Sequence, residues 1–235
     1  MNLGMELFKR SELNETFFFE NHQAYRKMKS LNILFTVIVC VYPVILNISR
    51  NHFSKVIIDL FFGFVILLPY IVDRRYGVII FEEFKFIITF HCMLHTIFGR
   101  AYGFYDKYPL YDDILHILGG GLIAGVSFSI ILSVYLNYFS QSDKFILFCT
   151  SVTTLGVVNI FGVGWEIAEF FGDIMFNGSP GYRLAQADLF DTMTDLMENN
   201  IGALLMILLL RRMISTNSKN RNVKELFKKL ISVSD

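Results

Sequence analysis

The chain has 235 residues, 54% of them hydrophobic, with 25 phenylalanines and a mean hydropathy of +0.48. That is too apolar for a soluble domain of this size and suits a bilayer. Basic and acidic residues balance at 21 each, so bulk charge gives no reason to expect a nucleic-acid partner, and Cys40, Cys92 and Cys149 sit in apolar runs without the CxxC spacing of a zinc or redox motif.

Residues 1–30 mix Glu6, Glu12, Glu15 and Glu20 with basic residues and show no small-residue cleavage site, unlike a secretory signal peptide. They read as a cytoplasmic or interfacial segment in which Phe17, Phe18 and Phe19 touch lipid. A spanning helix needs about 20 largely apolar residues, and six stretches qualify: 31–49, 53–72, 77–98, 114–139, 145–172 and 192–210. The predicted fold is therefore an all-α polytopic membrane bundle. Its six-helix transmembrane domain covers 31–212, and a basic cytoplasmic tail covers 213–235. No internal repeat or Pro/Ser-rich linker divides it. The third span is the least sharply bounded, because Glu82, Glu83 and Lys85 near its start fit an inner loop equally well.

Fifteen basic residues fall on one side of these spans: Lys9, Arg10, Arg26, Lys27 and Lys29 before the first, Arg74 and Arg75 after the second, Lys144 after the fourth, and seven after the sixth. The opposite loops hold only Arg50, Lys55, Arg100, Lys107 and Arg183. The positive-inside rule then puts both termini in the cytoplasm.

With that topology the acids fall mostly outside. Asp112, Asp113 and His116 occupy the start of span four, next to a Gly-rich run. Glu166 lies 22 residues beyond Lys144, about 33 Å along span five, which puts GWEIAEFFGD at the outer boundary. In span six Asp188, Asp191, Asp195 and Asn199 recur at three- and four-residue spacing, on one helical face. Span three adds His91 and His95, spaced i,i+4 as ligands of one metal are, and then Arg100.

Each feature alone has a bland explanation. Aspartates at a helix start favour the positive end of its dipole. A carboxylate near a boundary, such as Asp106, Asp112, Asp173 or Glu198, is ordinarily just solvated. His91 can be a packing hydrogen bond, and Gly119, Gly120, Gly121 and Gly125 serve close helix packing. The three sequons at Asn14, Asn47 and Asn177 are expected by chance. The joint arrangement of His116, Glu166, Glu169, Asp191 and Asp195 is harder to dismiss. Like charges gathered at one membrane level are costly unless they pair, coordinate or line a wet cavity.

Three blocks, YDKYPLYDDILHILGG, GWEIAEFFGD and AQADLFDTMTDLMENNIGALL, resemble the signatures of the YjdF-type bacterial inner-membrane proteins. The correspondence runs through Asp112 or Asp113 with His116; through Trp165, Glu166 and Glu169; and through Gln186, Asp188, Asp191, Thr192 and Asp195, then Gly202 and Ala203. Ala187, Phe190 and Leu196 depart from that pattern's Gly, Trp and Met without removing an ionisable residue. More distantly, Asp112 with His116, Glu166, and Asp195 with Asn199 and Gly202 resemble the VanZ-like teicoplanin-resistance family. That spacing favours Asp112 over Asp113 as the partner of His116. The resemblance implies a polytopic bacterial membrane protein and supplies sites, not a reaction.

Three functions fit these residues. The first is an enzyme acting on a lipid-linked or anionic envelope substrate at the outer leaflet. There a divalent metal would sit on His116, Asp191 and Asp195, with Asp188, His91 and His95 as further ligand candidates. Glu166 or Glu169 would do acid/base work with Asp112 as a third catalytic carboxylate. Arg100 and Arg183 would meet an anionic head group, with Trp165 and Gln186 beside them on the substrate. The second is a transporter or proton pathway using the same carboxylates, although transporter sites usually lie near the midplane. The third is a noncatalytic envelope protein whose polar cluster fixes helix register. Oligomeric state is not legible.

Overall fold

A computed structural model of the protein describes residues 22–76 and 82–216. Its elements are all helical: α1 (His22–Ser49), α2 (Phe53–Tyr76), α3 (Glu82–Met93) running directly into a π-helical segment (Leu94–Ala101), a single turn α4 (Phe104–Lys107), α5 (Tyr111–Tyr138), α6 (Asp143–Phe176) and α7 (Leu189–Thr216). Phe17 to Phe19, expected at the interface, and residues 217–235 of the basic tail lie outside the described residues.

Five of these helices, α1, α2, α5, α6 and α7, are long and apolar enough to cross a membrane, and they fall where spans one, two, four, five and six are expected. The stretch expected to form the third span is described from Glu82 onward, where it is helical in pieces of 12 and 8 residues. Five helices rather than six therefore meet the criterion among the described residues. The second piece is wound more widely, with the Tyr102 amide donating to the Ile97 carbonyl five residues back at 2.9 Å.

The chain divides into two compact units. The first holds α1 to α3 and the π-helical segment. Glu82 and Lys85, which the sequence also allows in a loop, stand in the first turn of α3 and are buried. Lys85 Nζ lies 2.8 Å from both Glu82 Oε1 and Asp73 Oδ2, and Asn32 Nδ2 donates to Glu82 Oε2 at 2.9 Å. Charges so placed in an apolar bundle persist only when each is paired and hydrogen-bonded. At the other end of α2, buried Asp59 accepts from Asn47 Nδ2 of α1 at 2.7 Å. Asn51, with φ 58°, makes the tight turn between these helices.

The second unit holds α5, α6 and α7, with α5 and α7 in the most extensive contact. The reason lies in three glycines. A Cβ on Gly120 would collide with the main chain of Asn199, and one on Gly202 with that of Ile117. Gly121 stands against Gly202, 3.4 Å from its carbonyl to the position a Cβ would take. The two backbones approach as they do in small-residue membrane crossings. Below that crossing, Ala124, Val158 and Ala203 form a thin layer, followed by Phe128, Leu132, Ile146, Ile207 and Ile214. The buried hydroxyls of Ser129, Thr150 and Ser151 donate to carbonyls four residues earlier in their own helices. That satisfies them without water.

Helix α6 opens on Ser142, whose side chain accepts from the Phe145 amide, and runs for 34 residues. That is about 51 Å at 1.5 Å per residue, against roughly 30 Å of hydrocarbon. It therefore projects well past one hydrocarbon thickness, carrying exposed Phe170, Phe171 and Ile174 with it. Gly178, at φ +79°, ends the helix in the left-handed conformation that favours glycine.

Candidate functional site

The α5–α7 crossing fixes the level at which polar side chains of the second unit meet. His116 stands one turn before Gly120 on α5, and Asn199 is the α7 residue whose backbone Gly120 admits. Both are buried, with Asn199 Nδ2 3.4 Å from His116 Nδ1. Gly162 of α6 makes room for that amide, since a Cβ there would lie 3.3 Å from Nδ2. One imidazole nitrogen is thus held by a polar partner that orients the ring, as second-shell groups do in metal and acid/base sites.

The other nitrogen faces acids. His116 Nε2 is 3.6 Å from Asp112 Oδ1, one turn earlier on α5, and 3.6 Å from Asp195 Oδ2 on α7. Both distances exceed hydrogen-bond range and leave space between the groups. Of the two aspartates, Asp112 at i,i+4 is the one whose carboxylate comes within 3.6 Å of the ring. Glu166 enters from α6, and one ligand atom each from His116, Glu166 and Asp195 lie within 4.8 Å of one another, all three residues buried. Adjacent ligands of a cation bound at 2.0–2.2 Å stand roughly 3–3.5 Å apart, so small side-chain rotations bring these three into one coordination shell.

Glu166 is half engaged. Gln186 Nε2 donates to its main-chain oxygen and to Oε2, both at 3.0 Å, the Thr192 hydroxyl also faces the carboxylate, and Oε1 is buried with no close hydrogen bond. A buried carboxylate oxygen left unmatched is costly unless a donor or cation comes to it. Gln186, expected among substrate contacts, is here the clamp on Glu166. Trp165, expected with it, donates its indole N–H to Glu169.

The segment carrying Gln186 is tied down by Asp173. Its carboxylate accepts from Tyr182 Oη at 2.7 Å, from the Ala185 amide at 2.8 Å and from the Gln186 amide at 2.9 Å. Sequence alone reads Asp173 as a solvated boundary acid. Its position two turns after Glu166 was the available signal, since it returns the connection to α6.

Asp188 and Asp191 start α7 with a reciprocal cap. Asp188 Oδ1 accepts from the Asp191 amide, and Asp191 Oδ2 accepts from the Ala187 amide, each at 3.0 Å. One oxygen of each expected ligand is therefore spent on the helix start. Arg183 packs over the Tyr105 ring at 5.4 Å and pairs with exposed Asp106 at 3.2 Å. His91, His95 and Arg100 belong to the first unit. There the two imidazoles meet edge to face at 4.9 Å between centroids, and His95 stacks on Phe62 at 5.5 Å.

A groove of about 680 Å³ runs beside Glu166 between α6 and α7. Val163, Ile167, Phe170, Ile174, Leu189 and Leu196 wall it, and Glu166, Asp173, Asn177, Gln186, Asp188 and Thr192 form its polar part. Sequence reasoning had no access to this groove, because its walls come from two helices whose facing is not set by local sequence.

Among known proteins, residues 31–216 match the family described as "Predicted membrane protein (DUF2238)". A protein of Thermotoga maritima described as "Uncharacterized protein" is 30% identical over 164 residues, spanning 70% of this chain and 80% of that protein. No solved structure matches. The matched span contains every helix from most of α1 to α7, and with them His116, Glu166 and Asp195: the chain belongs to the DUF2238 family of predicted membrane proteins, and is a multi-pass helical protein of a lipid bilayer.

Proposed function

We propose that this protein is a metal-dependent enzyme of the bacterial cytoplasmic membrane, acting on a lipid-linked or anionic envelope substrate at the outer leaflet. The observation that carries this reading is the convergence of His116, Glu166 and Asp195, buried and within 4.8 Å, with Glu166 Oε1 making no close hydrogen bond. Two carboxylates and one imidazole in a low-dielectric setting call for positive charge.

A divalent ion held there supplies Lewis acidity toward a phosphoryl or acyl oxygen. The chain's own groups do the rest. With its side chain turned so that the amide oxygen accepts from Nδ1–H, Asn199 leaves the Nε2 lone pair of His116 pointing at the acids. Gln186 holds one oxygen of Glu166 and so aims the other. Asp112, 3.6 Å from the imidazole, takes or returns a proton at the rim. Arg183, half-exposed beside Asp106, meets an anionic head group. The YjdF-type likeness agrees with the family; the VanZ-like likeness is kept as part of this proposal, as are six crossings with both termini cytoplasmic.

Elemental analysis of detergent-purified protein tests the reading. Wild type is expected to carry about one divalent metal per chain, lost in His116→Ala/Asp195→Asn. Metal-free wild type at neutral pH would overturn it. Cation or proton flux in liposomes is expected to be the same for wild type and Glu166→Gln; a flux abolished by that change would favour transport instead.

A further inference from the structure

A groove on a lipid-facing surface fills with hydrocarbon in any case, so its apolar walls alone do not make a site. What distinguishes the α6–α7 groove is its polar part. Glu166, 5% exposed, lines it and also belongs to the acid and histidine cluster. Gln186 holds Oε2 of that carboxylate. The groove therefore connects an apolar track to a buried carboxylate that Gln186 and Thr192 engage and whose Oε1 makes no close hydrogen bond.

Depth points the same way. Counted from Asp143, about 20 residues of α6 use up the roughly 30 Å of hydrocarbon, which brings the bilayer boundary close to Val163. The groove begins there and continues to Asn177. This is the level at which a lipid's head group joins its chain. The size, about 680 Å³, is within the roughly 300–1,000 Å³ of small-ligand sites.

We infer that this groove is a single-chain lipid site. It holds the head-proximal part of one acyl chain of a membrane glycerolipid, with the attached hydroxyl-bearing polar group at the Glu166 end of the groove. This rests on the outer-leaflet reading above and names the part of the substrate that reading left open. Val163, Ile167 and Leu196 contact the chain, and Gln186 positions Glu166 for the polar group. Being lined by one helix's far end and the next helix's start, the groove is open along its length, so a lipid slides in laterally from the bilayer.

The test is photolabelling in liposomes of phosphatidylethanolamine and phosphatidylglycerol with a trace diazirine-bearing acyl lipid, sites being read by mass spectrometry. Labelling at Ile167, Phe170 and Leu196 is expected to exceed that at Ile160, Phe161 and Leu205, exposed apolar residues of the same helices outside the groove, by fivefold or more. Ile167→Trp/Leu196→Trp, which fills the groove, is expected to reduce labelling at Phe170 at least fivefold while melting temperature and labelling at Leu205 stay as in wild type. Equal labelling of the two sets overturns the inference, as does preferential labelling by a polyprenyl probe. So does a wild-type groove covered by a second copy, detected as a dimer that the double variant dissociates. Metal content is measured on the same preparations. Groove labelling without metal keeps the lipid site and removes the metal reading; metal without groove labelling does the reverse.

Discussion

Asp173 shows how much a single carboxylate does at the end of a long helix. It accepts three hydrogen bonds from residues 182–186, so Asp173→Ala strands three donors, each worth roughly 1–3 kcal/mol if buried and unmatched. The expected outcome is a lower melting temperature in detergent together with faster proteolysis between Asn177 and Asp188. Asp173→Asn, which still accepts at one oxygen, is expected to fall between. His116 and Asp112 were legible in the sequence because a helical turn separates them. Asp195 was legible through its repeat with Asp191 and Asn199. The use of Gln186 as a clamp was not, since nothing local to AQAD distinguishes a side chain facing substrate from one facing Glu166. Asp59 was overlooked although it stands alone in an apolar span, the circumstance in which an acid is usually partnered. Its partner, Asn47, is across a turn.

Among the elements, the α5–α7 crossing carries the site, and its glycines are unequal to others in the chain. Gly120→Leu or Gly202→Leu is expected to prevent correct packing altogether, because the colliding atoms are main chain; the measurement is loss of a monodisperse, cooperatively melting species in detergent. Gly156, with nothing within 4 Å of its Cβ position, is the control. Gly156→Ala is expected to leave the protein as stable or to raise stability by up to about 1 kcal/mol, the helix-propensity difference. The α6–α7 pair is held differently. Asn159 and Asn200 exchange amide hydrogen bonds at 2.9 and 3.0 Å, so Asn200→Leu is expected to cost about 0.6–1.7 kcal/mol, the span measured for interhelical hydrogen bonds in membranes. Sequence periodicity anticipated that the glycines pack against a neighbour, but which neighbour depends on where the helices fold back.

For the whole molecule, the proposed six-crossing topology makes the sharpest prediction. In a chain freed of Cys40, Cys92 and Cys149, a cysteine at Lys107 or Arg183 is expected to react with a membrane-impermeant maleimide from outside intact cells, and one at Gln141 only after lysis. Labelling of the Gln141 position from outside would reverse the orientation, and labelling of the Lys107 position from inside would reduce the count of crossings. Location in a bilayer, all-helical class and the places of five spanning helices were determined by the sequence itself, because apolar length is a local property that water and lipid read one helix at a time. The third span was not, since Glu82 and Lys85 are tolerated in a helix only through Asp73 and Asn32 from other helices. Likewise, that His116, Glu166 and Asp195 share one buried volume, with an apolar groove running up to Glu166, was decided only by the tertiary structure. Helices α5 and α7 must cross at Gly120 and Gly202, with α6 alongside, before residues up to 79 positions apart come within reach of one ion.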